Sequence, residues 1–402
     1  MNIIGVGTFP PHPGGSALSF FDILDACAKR GHRIRVLAPT VESALGVEPR
    51  RGEHSRRLEL TRFPVPFVQL FNKSRDASDD YCAIEGRHVR ELLPRMIREE
   101  RPDLIFIGRE IFAASVPEIA AQSGLPCVLR IAGGTTLSLL KGGFSDELTA
   151  SLLDGFKRVA LMVSPAHHMA ERINGLGIHG VRVIPNAIDI KRFSMGQRDR
   201  ELARSLNIVE HDIVIAHVSN LQKLKRAMDL VLSAGQALRR DPSLLYLFIG
   251  DGVERAALEA KCAALGITER VRFTGWVAYG DVPAFYRLAD MMVMPAEDET
   301  LACAYLEAQA CGCVLIASNI AAAREVIIHD NTGLLFPTGD VDALTELTLA
   351  IAADPERRAR IRQAARAQVI THPLDEAVES YIGLFRNAVQ QHAARSRPVP
   401  SK

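Results

Sequence analysis

The segment Ile213–Gly250, IVIAHVSNLQKLKRAMDLVLSAGQALRRDPSLLYLFIG, decides the fold class. It begins with a short apolar run at Ile213–Ser219, continues through an amphipathic stretch at Ala227–Arg240, and ends with an apolar run at Leu244–Gly250. Continuously apolar runs of this length are typical of parallel strands that helices cover on both faces. The segment therefore predicts a strand–helix–strand unit with a right-handed crossover.

The same alternation extends along the rest of the chain. Amphipathic stretches such as Ser16–Arg30 and Val253–Leu265 separate further apolar runs of strand length. These runs are Asn2–Thr8, Arg33–Thr40, Leu104–Arg109, Pro126–Gly133, Ala160–Pro165, Val181–Asn186, Val271–Gly275, Met291–Ala296, Cys313–Ser318 and Gly333–Pro337. The pattern predicts an α/β protein built from doubly wound parallel sheets.

The number of strands is too large for one such sheet, so we predict two Rossmann-like domains that face each other across a cleft. The first is residues 1–190 and the second is residues 191–373, since the charged segment Lys191–Asn207 loses the strand period. A last helix, 374–389, is expected to pack back on the first domain, and the tail 390–402 is expected to be disordered. Open α/β sheets bind ligands at the carboxyl ends of their strands, which makes the cleft the expected site.

Composition excludes several classes of protein. The chain has 402 residues, of which 48% are hydrophobic, and a formal net charge of +1, so no global field indicates a nucleic-acid partner. No run approaches the ~20 apolar residues that a membrane span needs. The start, Met1–Ile4, lacks the features of a signal peptide and predicts a buried strand. The seven cysteines lack paired spacing, and Cys311 and Cys313 are too close for a typical zinc pair. We therefore expect reduced thiols in a cytoplasmic protein.

Two basic stretches leave a second location open. Arg50–Arg62 and Arg87–Arg101 could lie on the anionic inner face of a membrane, near a lipid-linked acceptor. Glutamates are interspersed among these basic residues, and this favours ordinary solvated faces.

Three loops have the composition of phosphate-binding turns. In the first, Gly14 and Gly15 stand at a helix start, where a backbone can approach an anion. The second, Asn220–Arg226, carries three cations and an amide that could hold a diphosphate. The third, Gly250–Gly252, lacks the third glycine of a dinucleotide fingerprint. Each loop alone is also compatible with an ordinary turn or a solvated helix start.

The stretch Pro295–Gly312 is the most informative. Thr300 could cap a helix that Gly312 ends, with Glu299 at its mouth and Glu307 two turns further on. Eight helical steps would separate the two carboxylates by about 12 Å, which is too far for a glycoside hydrolase. This spacing suits an elongated ligand with hydroxyl groups at each end. The alternative is that Glu307 is a surface charge.

Several motifs in order resemble family four of the glycosyltransferases, the retaining enzymes with the GT-B fold. The motifs are Phe9–Gly15, Ala28–His32, Val183–Asp189, Ser219–Arg226, Gly250–Gly252, the pair Glu299 and Glu307, and Asn319–Ile327 before Asn331–Phe336. The resemblance covers nearly the whole chain and is strongest over Ile213–Asp340. The run after Val218 is similar to that of the N-acetylglucosaminyl-malate synthases.

The resemblance implies a hexosyltransferase that retains anomeric configuration. It implies a UDP- or GDP-sugar as donor, an acceptor that is a small molecule, a glycan or lipid-linked, and no metal or other cofactor. Glu299 would bind sugar hydroxyls as the catalytic residue, Lys225 the diphosphate and Glu307 the ribose. The remaining donor-side residues would be Gly14, Gly15, Asn220, Arg226, Gly250, Gly252, Leu301, Ala302 and Cys303, and the acceptor side is assigned His12, Arg109 and Arg130.

Three departures from the family pattern are visible. Asn220 stands where many members have arginine, and Leu301-Ala302 replaces the usual Phe-Gly. Ala132-Gly133 replaces a His-Gly whose histidine commonly touches the transferred sugar. The last departure keeps a non-catalytic sugar-nucleotide binder open as an alternative.

Two other enzyme classes are disfavoured. A nucleotide-sugar epimerase also uses Rossmann-like domains, but the Glu299 and Glu307 pair does not match its pattern of catalytic residues. A dinucleotide oxidoreductase is the least favoured, because no complete glycine fingerprint is present.

Overall fold

The chain folds into two compact α/β units. The computed structural model describes residues 1–10, 15–41, 56–65, 75–371 and 373–395. Met1–Asn186 and the helix that begins at Leu374 form the first unit, and Ala187–Pro373 forms the second. The positions His12 and Gly14 lie outside the described residues.

The first unit is built on a seven-stranded parallel sheet with the order β3-β2-β1-β4-β5-β6-β7. Its strands are β1 (Asn2–Val6), β2 (Arg33–Val41), β3 (Leu58–Val65), β4 (Leu104–Ile107), β5 (Cys127–Arg130), β6 (Leu161–Ser164) and β7 (Arg182–Val183). Its helices are α1 (Gly15–Lys29), α2 (Arg75–Glu100), α3 (Val116–Gln122), α4 (Gly134–Leu140), α5 (Asp146–Arg158) and α6 (His167–Asn174). The central strands are buried along their length, as continuously apolar runs predict.

The second unit is built on a six-stranded parallel sheet with the order β10-β9-β8-β11-β12-β13. Its strands are β8 (Ile213–Val218), β9 (Leu244–Ile249), β10 (Val271–Phe273), β11 (Met291–Met294), β12 (Val314–Ser318) and β13 (Leu334–Phe336). Its helices are α7 (Arg200–Ser205), α8 (Ala227–Ala237), α9 (Arg255–Ala264), α10 (Val282–Leu288), α11 (Cys303–Cys311), α12 (Ala321–Arg324), α13 (Val341–Ala353) and α14 (Pro355–Val369).

A final helix, α15 (Leu374–Arg395), packs in the core of the first unit. Its Phe385 ring lies 4.9 Å from the ring of Phe106 on β4, and Phe106 also contacts Phe20 on α1. The helix continues past Val389, so residues 390–395 of the predicted disordered tail are helical. Residues 396–402 lie outside the described part of the chain.

The predicted fold class is confirmed, and each apolar run of the sequence contains a strand. The strand β3 was not predicted; it pairs with β2 at the edge of the first sheet. This strand has the charged residues Glu59 and Arg62 among apolar ones, and Glu59 forms an ion pair with Arg35 of β2 at 2.7 Å. Charged side chains are common on edge strands because they discourage further pairing, and here they hid the strand within a basic stretch.

Among the helices of the described residues, none combines the length and the apolar character that crossing a bilayer requires.

Candidate active site

The loop after β8 is held by a buried histidine. His217 lies fully buried on this strand, with Nδ1 2.8 Å from the main-chain oxygen of Val293 and Nε2 2.8 Å from Ser219 Oγ. Burial, together with the nearby Lys225 charge and against the hydrogen bond to the Val293 carbonyl, lowers the pKa of His217 to about 4, so the ring is neutral. The ring then donates from Nδ1 and accepts the Ser219 hydroxyl at Nε2. Ser219 Oγ in turn accepts the N–H of Leu221 at 3.1 Å, which fixes the start of the loop.

Lys225 and Glu299 form an ion pair at the carboxyl edge of the second sheet. Lys225 ends a short 3₁₀ turn after β8, and its Nζ donates to Glu299 Oε1 in the loop after β11. Both side chains are largely buried, with 19% and 11% of their surfaces exposed. The Glu297 N–H also donates to the Leu224 carbonyl at 2.9 Å, so main-chain contact holds the two loops together. The predicted diphosphate cation and the predicted catalytic carboxylate are therefore neighbours.

Arg226, the second predicted cation, is already neutralised. Its guanidinium donates Nε to Asp229 Oδ2 at 2.7 Å and Nη2 to Asp229 Oδ1 at 3.2 Å. This bidentate pair lies on the first turn of α8. Arg226 and Lys225 are both paired with carboxylates, but the two oxygens of Asp229 engage two donors of Arg226, whereas Glu299 engages Lys225 through Oε1. The sequence analysis did not identify Asp229 as its partner.

The glycines of the loop after β9 allow two loops to touch. A Cβ at Gly250 would lie 2.0 Å from the Ser219 carbonyl oxygen, and a Cβ at Gly252 would lie 2.1 Å from that of Asn220. The φ angle of Gly250 is also +118°, which side chains rarely adopt. The two glycines therefore support the loop after β8 by close backbone packing.

The helix α11 begins later than the sequence predicts. Its first residue is Cys303, Ala302 is the N-cap, and no side chain caps the helix. The prediction that Thr300 caps it is wrong, since this residue lies before the N-cap. As Glu299 precedes the helix, the 12 Å estimate for a continuous helix no longer applies. The predicted end is confirmed, because Gly312 closes the helix with a φ of +85°.

Glu307 is buried on the second turn of α11. Its exposed fraction is 7%, and its Oε2 accepts a hydrogen bond from the Tyr286 hydroxyl of α10 at 3.0 Å. Burial and the Glu307 charge together raise the pKa of Tyr286 well above its usual value, so the phenol remains a donor. The alternative that Glu307 is a surface charge is excluded. The sequence analysis did not identify Tyr286, which lies on a different helix.

Two buried polar atoms in these loops lack hydrogen-bond partners among the described residues. They are Oδ1 of Asn220 and Oγ1 of Thr300. Buried polar groups are usually satisfied, so such atoms indicate where a ligand or water would bond. Both belong to the loops that carry Lys225 and Glu299.

Arg109 in the first unit follows β4 and pairs with a buried glutamate. Its Nη1 donates to both carboxylate oxygens of Glu85 at 2.8 and 3.0 Å, and its guanidinium lies over the Tyr81 ring at 5.4 Å. Glu85 neutralises much of the charge that Arg109 could present to an acceptor. The acceptor-side role of Arg109 stays a prediction.

Arg130, the other predicted acceptor-side arginine, lies inside the first unit with 2% of its surface exposed. Its Nη2 donates to Ser19 Oγ on α1 at 2.8 Å and to Asn186 Oδ1 at 3.0 Å. Asn186 is the last residue of the first unit before the chain enters the second. Arg130 thus ties together β5, α1 and the segment that follows β7, which is a structural role. Its acceptor-side role stays a prediction.

The buried carboxylate of Glu110 holds the loop that contains Ala132-Gly133, where the family pattern has His-Gly. Glu110 is fully buried, and its Oε1 accepts the Gly133 N–H at 2.7 Å and the Thr136 hydroxyl at 2.9 Å. Gly133 has a φ of +118° and precedes α4. Glu110 was not predicted as a site residue, although its position three residues after the buried strand β4 was a usable signal. Gly15 is the first residue of α1, next to positions outside the described residues.

The described residues contain no group of side chains with the composition of a metal site. No cluster of three or more His, Cys, Asp or Glu side chains occurs there.

The fold and this edge of the sheet define a class of protein. A parallel α/β sheet that carries cations and the start of a helix at its carboxyl edge is typical of domains that bind nucleotides or other phosphate-bearing ligands. The Lys225 and Glu299 pair and the start of α11 lie at that edge. The second unit therefore belongs to the Rossmann-like, nucleotide-binding class.

Two family models match the chain, one in each unit. The model of glycosyl transferases group 1 matches residues 198–368, and the model of glycosyltransferase family 4 matches residues 13–192. The chain belongs to family 4 of the glycosyltransferases, with the GT-B fold. The predicted family is confirmed.

Three known proteins illustrate the likeness. D-inositol 3-phosphate glycosyltransferase from Salinispora tropica is 32% identical over 230 residues, which cover 54% of this chain and 48% of that protein. N-acetyl-alpha-D-glucosaminyl L-malate synthase from Bacillus anthracis is 22% identical over 383 residues, 94% of each chain. The crystal structure of Anabaena HepE in complex with UDP and glucose superposes with a TM-score of 0.78 at 19% identity, covering 96% of this chain and 100% of that one. This chain spans about half the length of the inositol phosphate glycosyltransferases it matches.

Proposed function

We propose that the chain is a retaining glycosyltransferase that moves a hexosyl group from a UDP- or GDP-sugar to a small-molecule, glycan or lipid-linked acceptor. The observation that carries this proposal is the buried ion pair of Lys225 and Glu299, placed by two adjacent loops at the carboxyl edge of the second sheet. A cation for the diphosphate and a carboxylate for sugar hydroxyls then stand side by side, as transfer from such a donor requires.

Each group of the site has a part in the proposed reaction. Lys225 and the start of α11 stabilise the charge of the departing diphosphate, because a helix N-terminus favours negative charge. Glu299 accepts hydrogen bonds from hydroxyls of the transferred sugar. Glu307, oriented by the Tyr286 hydroxyl, accepts hydrogen bonds from the ribose. These roles need no metal ion.

The proposed chemistry is front-face substitution. The bond between the anomeric carbon and the diphosphate oxygen breaks, and its electrons remain on the diphosphate. The acceptor hydroxyl attacks the same face of the anomeric carbon, and its proton passes to the departing phosphate oxygen. This sequence retains the configuration without an enzymatic nucleophile. It is consistent with Glu299 being held by Lys225 as a hydrogen-bond acceptor.

The relatives support a nucleotide-sugar donor. HepE, which has a similar fold, binds UDP and glucose in its crystal structure. The relative from Bacillus anthracis is named as the synthase of an N-acetylglucosaminyl conjugate of malate. Since both are distant in sequence, the base and the sugar used by this chain are part of the proposal.

Nucleotide diphosphates are expected to stabilise the protein without added metal. A ligand at about 100 times its dissociation constant raises the free energy of unfolding by about 2.7 kcal/mol. Thermal unfolding with UDP, GDP and ADP, each with and without a chelator, measures the effect. Nucleosides without phosphate are the control. Stabilisation that disappears with the chelator would contradict metal independence.

Transfer itself is tested with a panel of labelled UDP- and GDP-sugars. We expect slow hydrolysis of one donor in the absence of acceptor, with release of a nucleoside diphosphate. The anomeric configuration of the first-formed product, followed by NMR, is expected to match that of the donor. A donor epimerised without release of nucleotide would identify an epimerase instead, and tight binding with no turnover of any donor would identify a non-catalytic binder.

A further inference from the structure

A separate cavity of about 380 Å³ opens at the amino-terminal edge of the second sheet. Its lining includes Ile213, the first residue of β8, and Asp290, which directly precedes β11. The loops of the proposed donor site follow the carboxyl ends of the same two strands. The cavity therefore lies at the opposite edge of the sheet, and its volume falls within the range of small-molecule sites.

Four arginines line this cavity. Arg198 precedes α7, Arg287 lies on α10, and Arg358 and Arg362 lie one turn apart on α14. Residues four positions apart on a helix share a face, so the last two side chains converge. Three different segments thus bring guanidinium groups to one place, which we name the arginine cavity.

Carboxylates of the lining compensate only part of this charge. Asp290 accepts a hydrogen bond from Arg198 and forms an ion pair with it. Asp212 pairs instead with Arg270 at 2.6 Å. Glu210 is exposed and remains the one lining carboxylate without a described ion pair to an arginine.

The other three arginines lack carboxylate partners among the described residues. Arg287 donates Nε to the Ser194 carbonyl at 2.9 Å, and Arg358 donates Nη1 to the Ile351 carbonyl at 2.9 Å. The Nε of Arg362 is buried and has no hydrogen-bond partner in the described part of the chain. Carbonyl oxygens satisfy donors but do not neutralise charge, so the cavity keeps an excess of two positive charges over Glu210.

We propose that the arginine cavity binds a small phosphorylated molecule, separately from the nucleotide-sugar site. Guanidinium groups recognise phosphate through paired N–H donors. A phosphomonoester carries about −1.5 to −2 charge at neutral pH, which matches the excess. The cavity is larger than a phosphate ion needs, so it has room for a body of about the size of a sugar ring. This site is independent of the proposed sugar transfer.

The two sites are far enough apart to be tested separately. Arg362 Nη2 lies 3.5 Å from where a Cβ on Gly312 would be, so it reaches the carboxyl end of α11, whose start belongs to the donor site. The nine residues of α11 span about 13 Å. A phosphate in the arginine cavity therefore does not occupy the place of the donor diphosphate.

Calorimetry with inorganic phosphate and with glucose 6-phosphate tests the proposal on the full chain. The double variant Arg358→Gln/Arg362→Gln is expected to weaken binding of both probes about tenfold or more. The matched control is Arg357→Gln/Arg360→Gln on the same helix, which removes two arginines that bond to Asp330 instead. Equal effects of the two double variants, or no binding by the wild type, would overturn the proposal.

Two further measurements keep the result decisive. Lys225→Ala is expected to lose affinity for nucleoside diphosphate while it keeps the phosphate binding of the arginine cavity, so the two proposals can fail separately. Hydrogen–deuterium exchange on the wild type avoids any folding defect of the variants. Inorganic phosphate is expected to protect peptides from Pro355–Val369, and protection confined to residues 219–226 would assign the anion to the donor site and overturn the cavity site.

Discussion

Glu299→Gln is expected to lower kcat roughly ten- to hundredfold without weakening nucleotide binding, since a hydrogen bond to a charged group contributes ~1.5–3 kcal/mol. The glutamine keeps the size of the side chain but loses the charge that responds as positive charge develops at the anomeric carbon. Lys225 loses its carboxylate partner in this variant, so affinity for nucleoside diphosphate should stay equal or rise. Steady-state kinetics with calorimetry on UDP and GDP measure both quantities.

Two variants serve as controls for Glu299→Gln. Glu297→Gln changes an exposed carboxylate of the same loop and should leave kcat close to that of the wild type. Glu307→Gln should raise the donor KM about tenfold with little change in kcat, because ribose contacts are similar in the ground and transition states. A Glu299→Gln enzyme as active as the wild type, or one affected only in KM, would remove Glu299 from the reaction.

Lys225→Ala is expected to weaken binding of nucleoside diphosphate by roughly ten- to hundredfold, the value of a charge-assisted hydrogen bond. Two effects act in the same direction in this variant. The cation is lost, and Glu299 becomes a buried carboxylate without its ion-pair partner. The negative charge that Lys225 had offset would then repel the diphosphate. Isothermal titration calorimetry at two salt concentrations measures the loss.

The neighbouring Arg226→Ala variant is the matched control for Lys225→Ala. Arg226 is held by both oxygens of Asp229, so its removal should change diphosphate affinity only slightly. The double variant Lys225→Ala/Glu299→Gln should recover part of the affinity lost in Lys225→Ala, because it also removes the negative charge that Lys225 had offset. Equal affinity of Lys225→Ala and wild type would exclude Lys225 from the site, and a larger loss in Arg226→Ala would reverse the assignment.

The strand positions could be predicted because buried parallel strands are continuously apolar. β9 and β11 are examples in which every residue is buried. This signal fails at the sheet edge, where β3 exposes part of its surface and mixes charged with apolar residues. An edge strand pairs on one side only and has a partly solvent-exposed face, so its residues need not be continuously apolar.

The site was predictable where its residues are adjacent in the chain and unpredictable where contacts cross between elements. Motif order identified Lys225 and Glu299, but their direct pairing joins loops 74 positions apart. The contact of Tyr286 with Glu307 joins two helices, and a single sequence carries no sign of it. The start of α11 was misplaced because Thr300 is a favourable capping residue. The loop after β11 instead stays non-helical through Ala302, whose own backbone is extended.

The crossing of α15 into the first unit has a consequence for the order in which the chain can fold during translation. Because this helix follows Pro373 but packs against Phe106, whose ring contacts Phe20, the first unit lacks part of its core until residues 374–395 have been made. The second unit is continuous in sequence from Ala187 to Pro373, so its core is complete earlier. A released chain truncated after Pro373 should therefore carry a finished second unit attached to an unfinished first one, with the apolar groove for α15 open to chaperones.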